Sequence, residues 1–205
     1  MTSGQSRRRL TAEARRRQIL DVTHAIVDAE GFHAATPNRI ASEAGINRSL
    51  IYQQFGDPAG LFVALIDREV ARAGAQFAEV IAAGADSAGG DGDLVDRFDS
   101  VVQAADAHPA TWRLFLFPPQ GAPPELHQRL GQAQEIVRAY LAGELLRSYP
   151  DLPDPDYTAR VLQAAARELL QLRLSDPAAA TRERLHALAR SLALPLPGAV
   201  TARGQ

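Results

Sequence analysis

Along most of this chain apolar residues return every three or four positions, the spacing of a helix with one buried face. Between Thr11 and Glu30 the series is Ile19, Leu20, Val22, Ala25, Ile26 and Ala29, and Gly31 is placed to stop that helix as a left-handed cap. Thr36-Pro37 predicts the next start, with threonine as N-cap and proline at the first helical position. That helix is short, about 37 to 44, and Gly45 closes it. Asn47 caps a third, about 48 to 55, and Asp57-Pro58 launches a long fourth one to about 83. The stretch GADSAGGDGD, 84–93, buries little and reads as a loop. Helices are predicted again over 94–107, 109–117, 125–149, 157–174 and 178–194, the last one capped by Ser175-Asp176-Pro177. No segment alternates apolar and polar residues as a half-buried strand would. The expected fold is all-α with about nine helices. A flexible arm over 1–11, a helix-turn-helix domain over 12–57, a larger helical domain over 58–196 and a tail over 197–205 are expected.

Two of these helices are too short to persist without tertiary support, and they are joined by almost nothing. Ala41 is small enough for a close crossing, Gly45 permits a sharp turn, and Ile46 fills the angle between the helices. This is the layout of a helix-turn-helix. At about 100° per residue, Ile51 and Phe55 of the second short helix point toward a core. Ser49 and Gln53 point away from it, with Leu50 on one flank and Tyr52 and Arg48 on the other. The outward face therefore carries a guanidinium, a hydroxyl, a phenol, an amide and one apolar group, and no acid. Arginine suits guanine, glutamine suits adenine, and leucine can meet a thymine methyl. Two packed helices at an ordinary bend would share part of this pattern.

Charge sharpens the picture. The net charge is only −2, but residues 1–55 hold eight arginines against five acids, and the remaining 150 hold 14 against 19. A basic head on an acidic body fits a polyanionic partner, though it also fits a solvated basic tail. Cysteine is absent, which excludes disulfides, thiolate metal sites and a thiol nucleophile. Five scattered histidines form no i, i+4 pair, and no P-loop, G-x-S-x-G or H-E-x-x-H occurs. An enzyme, a cofactor and a metal site are not expected. No run approaches the length of a membrane span, and the chain reads as cytoplasmic.

Glu30-Gly31-Phe32, then Thr36 followed by Ile40-Ala41 and Glu43-Ala44-Gly45, then LIYQQF at 50–55 and a Leu61-Phe62 helix stand in a single ordered series. On these residues the stretch 12–66 resembles the DNA-binding domain of the tetracycline-repressor (TetR) family of bacterial regulators. The resemblance implies that the third helix enters the major groove, so Arg48, Ser49, Tyr52 and Gln53 inherit base or phosphate contacts, with Asn47 and Leu50 beside them. It also implies phosphate contacts at Thr36, at the start of the second helix, and at Asn38 or Arg39. The chain departs from the pattern at Pro58, where a lysine is usual, at Gln54, usually aromatic, and at Leu50, usually threonine. The arginines between 7 and 17 could replace the lost phosphate contact.

The resemblance further implies a ligand-responsive regulator, most often a repressor, that binds a near-palindromic operator as a homodimer. An effector-independent regulator and an activator remain as alternatives. The expected partners are duplex DNA, a partly apolar small molecule and a second copy of the chain. Phe98, Trp112, Phe115 and Tyr140, with the polar His127, Gln134 and Arg167, are candidates to line an effector pocket; plain core packing fits the aromatic residues as well. Leu162 and Leu169 in one helix and Leu185, Leu188 and Leu192 in the last form stripes that fit a dimer interface or a core within one chain.

Overall fold

Nine α-helices and one 3-10 turn make up the described part of the chain, and none of it is strand. The computed structural model describes the backbone of residues 10–85 and 91–193 and the side chains of 10–82 and 94–192. The basic run 7–9, the middle of the expected loop and the tail lie outside them. The chain forms two compact units: residues up to Arg68 together with 119–123, and Glu69–Pro118 together with everything from Pro124.

In the first unit α1 (Ala12–Glu30), α2 (Pro37–Ala44), α3 (Ser49–Phe55) and the start of α4 (Pro58–Ala85) enclose a core that includes Ile19, Ile40, Ile51, Leu61 and Leu65. Local chemistry sets the boundaries. Thr11 and Thr36 accept the backbone N–H groups of Ala14 and Arg39, and Asp57 accepts that of Gly60 at 2.7 Å. Gly31 ends α1 at φ 91°, ψ 171° rather than in the left-handed helical region. A 3-10 turn, Phe32–Ala34, follows, and the pattern of apolar positions carried no sign of it. Gly45 does occupy the left-handed region, at φ 63°, ψ 40°. Its N–H bonds the carbonyl of Ser42, and that of Ile46 bonds Ala41, the pairing of a Schellman cap. A side chain at Gly45 would meet nothing within 4 Å, so the backbone angle alone calls for glycine. Gly60 is needed for the opposite reason: a Cβ there would lie 2.3 Å from the Phe55 carbonyl oxygen.

The second unit holds the rest of α4 with α5 (Asp91–Ala107), α6 (Pro109–Leu116), α7 (Pro124–Ser148), α8 (Pro155–Ser175) and α9 (Arg182–Ala193). The expected loop is shorter than 84–93, because α4 runs on to Ala85 and α5 starts at Asp91. Asp154 caps α8 ahead of Pro155, two residues earlier than the apolar series alone suggests. The start of α9 is the larger correction. Asp176-Pro177 opens a turn, and the helix begins at Arg182 behind Thr181, whose hydroxyl accepts from Arg184 N–H. The turn persists because Ala180 is buried against Val102, Leu116 and Leu170. Arg173 also takes up the carbonyls of Pro177 and Ala180.

Asp106 of α5 ties this corner together. It accepts from Arg173 at 2.8 and 3.1 Å and from Arg182 at 3.0 Å. The Arg173 guanidinium, with help from Arg182 and against the opposing effect of burial, holds the Asp106 carboxyl below the usual carboxylate range. A folded pKa below the unfolded value, about 3.9, adds stability that is present above the unfolded value and is lost as pH falls through the folded one. Asp106→Asn is therefore expected to lower stability at pH 7 by roughly 1–3 kcal/mol. The gap between variant and wild type should close below about pH 4. Thermal unfolding of both proteins from pH 7 to pH 3 checks this; a gap independent of pH would contradict it.

Candidate DNA-reading face and ligand cavity

Ile51 is fully buried, and this fixes the roll of α3. With Ile51 inward, Arg48, Ser49, Tyr52 and Gln53 are exposed and Leu50 is half-buried. No acid lies between Asn47 and Gln54. Asn47 Oδ1 accepts the Ser49 N–H at 2.9 Å, so its side chain serves as a cap. Asn38 Oδ1 accepts from Arg48 Nη1 at 3.2 Å, and the Arg48 guanidinium lies 5.8 Å from the Tyr52 ring centroid. Arg48 is thus held over its own helix in the absence of DNA. Thr36 stands exposed at the N-terminus of α2, the dipole end suited to a phosphate.

Arg39 is already paired within the protein. It forks onto Glu30 at 2.6 and 2.7 Å and onto Glu43 at 2.9 Å, which leaves its positive charge matched by two carboxylates. Its own acid neighbours keep the guanidinium charged and occupied. Two arginines of the basic head are also structural. Arg16 donates to the Gln54 carbonyl at 2.9 Å and covers the Phe55 ring at 4.3 Å, so a cation closes the C-terminus of α3. Arg15 bonds Gln18, whose amide in turn donates to the Ala44 carbonyl at the end of α2. The basic surplus read from the sequence is therefore partly spent on bracing α2 and α3 against α1. Sequence spacing gave no sign of these pairings, which join residues as far as 38 positions apart.

Within the second unit residues of α4 to α9 line an open-mouthed cavity of about 780 Å³. This lies within the range of small-molecule sites, roughly 300–1,000 Å³. Its walls are mainly apolar: Val70, Phe77, Val95, Val101, Leu130, Val137 and Leu162 contribute, among others. Phe98, Trp112, Phe115, Gln134, Tyr140 and Arg167 all line it. His127 does not: it is exposed on α7, one residue past the buried Leu126. The Trp112 indole N–H donates to Gln76 Oε1 of α4 at 2.9 Å. Next to it, Thr111 donates to Glu69 Oε2 at 2.6 Å, and Arg72 pairs with the other carboxylate oxygen at 2.9 Å. Glu69 is fully buried. Both residues of α6 are thereby tied to α4, while Trp112 and Phe115 reach the cavity.

The Arg97–Glu144 pair beside Tyr140 was not visible in the sequence. Arg97 of α5 pairs with the buried Glu144 of α7 at 3.0 Å, donates to the Tyr140 hydroxyl and lies 5.7 Å from that ring centroid. Phe77 packs edge-on against the same ring. Burial is the main reason the Tyr140 phenol is pushed above its ordinary pKa, so it stays neutral.

The expected dimer stripes divide. Leu169 and Leu185 are buried in the core of their own chain with Val102 and Ala105, so neither can face a second copy. Leu162 is partly buried beside Leu145 and lines the cavity. Leu188 and Leu192 are exposed on α9, and Val161 and Leu172 are exposed on α8.

A helix-turn-helix with an outward, acid-free second helix, carried on an all-helical chain, is the arrangement found in DNA-binding transcription regulators. Residues 19–65 match the family model for bacterial regulatory proteins of the tetR family. The chain's fold is that of a TetR-like transcriptional regulator from Rhodococcus sp. RHA1, with TM-score 0.72 and 22% identity over 90% of this chain and 96% of that one. The regulator FadR from Bacillus subtilis, solved in complex with stearoyl-CoA, is similar with TM-score 0.67 and 16% identity over 90% and 98%. Among curated proteins, the HTH-type transcriptional activator FasR of Mycolicibacterium smegmatis is 34% identical over 62 residues. That match spans 30% of this chain and only 28% of FasR. Among the described residues no helix is long and apolar enough to cross a membrane.

Proposed function

We propose that this chain is a TetR-family regulator that binds a near-palindromic operator as a homodimer and leaves it when a largely apolar small molecule fills the cavity of the second unit. The observation that carries this reading is the pairing, on one chain, of an outward α3 face without acids and an apolar cavity of about 780 Å³. A single reading head discriminates few bases, so a two-fold pair of heads is the economical way to specificity. Val161, Leu172, Leu188 and Leu192 offer apolar surface on α8 and α9 for such pairing. That FadR was solved with stearoyl-CoA supports a long apolar effector for a fold of this kind. Release needs only that the ligand favour the conformation less suited to DNA. The helix α4 is continuous from Pro58 to Ala85 and so belongs to both units, a natural lever. Repression is the simplest consequence of occupying an operator. Activation is the second reading, favoured by the name of FasR.

The test is a fluorescence-anisotropy titration with the DNA upstream of the protein's own gene and a scrambled control, at several salt concentrations. Binding well above the control, with log affinity falling linearly against log salt, is expected. Equal, weak binding to both probes, followed by failure of a random-sequence selection to enrich any site, would refute DNA reading by this head. Substitution at Phe77, on the α4 wall of the cavity, is expected to change the ligand concentration needed for release and to leave affinity without ligand unaltered.

A further inference from the structure

Four arginines reach the cavity wall, and their treatment differs. Arg129, Arg160 and Arg167 belong to its margin, where Arg160 and Arg167 are exposed to solvent. Arg97 is largely covered, with its side chain 13% exposed, and a buried acid, Glu144, is set against it. Glu144 is 4% exposed, is absent from the cavity surface and stands behind Arg97 and Tyr140. One of its carboxylate oxygens meets Arg97 at 3.0 Å; the other meets Arg147, whose side chain lies largely in solvent. On the apolar wall of the cavity the charge of Arg97 is therefore opposed by that of Glu144. A ligand carboxylate placed beside Arg97 would stand close to a second carboxylate against an apolar wall, and a ligand ammonium would stand beside a guanidinium. Each case sets like charges together and strips the ligand of its water, and both effects are large where the effective dielectric constant is low. A neutral oxygen suffers neither penalty.

Taking the cavity to be the effector site, as proposed above, we infer that Glu144 is a specificity-determining residue that reserves Arg97 for the protein itself. The site then accepts an elongated apolar molecule whose buried part is uncharged, an ester or thioester rather than the free acid. Any anionic group of such a ligand remains at the margin with the exposed arginines. The specificity works by exclusion, since the pair turns away what an unmatched arginine would attract.

Trp112 makes this measurable. It is the single tryptophan of the chain and lines the cavity, so its emission reports occupancy without a label. Methyl decanoate, decanoate and decane would be titrated at pH 7.5 into the full-length protein and into Glu144→Gln, following Trp112 emission and the thermal midpoint. In the wild type methyl decanoate should bind about tenfold or more tightly than decanoate. In Glu144→Gln, where Arg97 loses its buried partner, that ratio should shrink or reverse. Circular dichroism establishes that the variant is folded; should it not fold, the wild-type ratio decides alone. Decanoate binding to the wild type as tightly as the ester would overturn the inference and leave the cavity as the effector site. No response to any of the three probes, decane included, would overturn both.

Discussion

Ile51→Ala should remove much of the stability of the reading head and with it sequence-specific DNA binding. Ile51 is fully buried and is the buried residue of α3, in the unit whose core also holds Ile19 and Ile40. Truncating a buried isoleucine to alanine costs about 2–5 kcal/mol, from lost burial and the cavity left behind. The first unit is small, and small units have little stability to spare. An α3 of seven residues cannot hold its shape on propensity alone. Loss of helical circular dichroism should therefore precede the main unfolding transition on heating. Trp112 lies in the second unit, so its emission should report that unit unchanged over the same range. A single transition at the wild-type temperature would show that Ile51 does not anchor the head.

Arg48→Ala is expected to weaken binding to the operator by about tenfold to a hundredfold, the range for loss of one bidentate base contact. The folded state should be nearly unaffected, because Arg48 is exposed and its bond to Asn38 and its stacking on Tyr52 are surface interactions. Anisotropy across a salt series separates two roles. If Arg48 reads a base, the variant relaxes specificity at one position of the site and keeps most of the salt slope. A phosphate role would instead lower the slope by about one and weaken all sequences alike. Unchanged affinity for the operator would remove Arg48 from the reading face. Arg39→Ala offers the contrast: its guanidinium is already shared between Glu30 and Glu43, so a much smaller effect on DNA binding is expected.

The sequence by itself determined the helices and the roll of the reading helix. Thr36-Pro37 and Asp57-Pro58 mark starts because a capping oxygen and a fixed proline φ act within four residues. Gly45 marks a stop because only its own backbone angle matters. The outward face of α3 follows from the 3.6-residue period once Ile51 is inside. The enclosure of Trp112, Phe115 and Tyr140 was legible only as a cluster of aromatic residues; whether they packed solidly or lined a space was not.

Tertiary structure alone decided which charges and leucines were left over. Arg39 and Arg16 look free in the sequence, yet Glu30 and the Gln54 carbonyl, which occupy them, come from other helices. Leu185 and Leu188 share a helix and a residue type, and only the packing of α9 on α5 and α8 buries the first and exposes the second. Asp176-Pro177 carries the same local signal as Asp57-Pro58, yet burial of Ala180 and the reach of Arg173 hold it as a turn. The pairing of Arg97 with Glu144, 47 residues away, left no trace in local spacing. Caps and periodicity act between neighbours along the chain. Charge matching and burial act between neighbours in space, which the chain acquires only once it has folded.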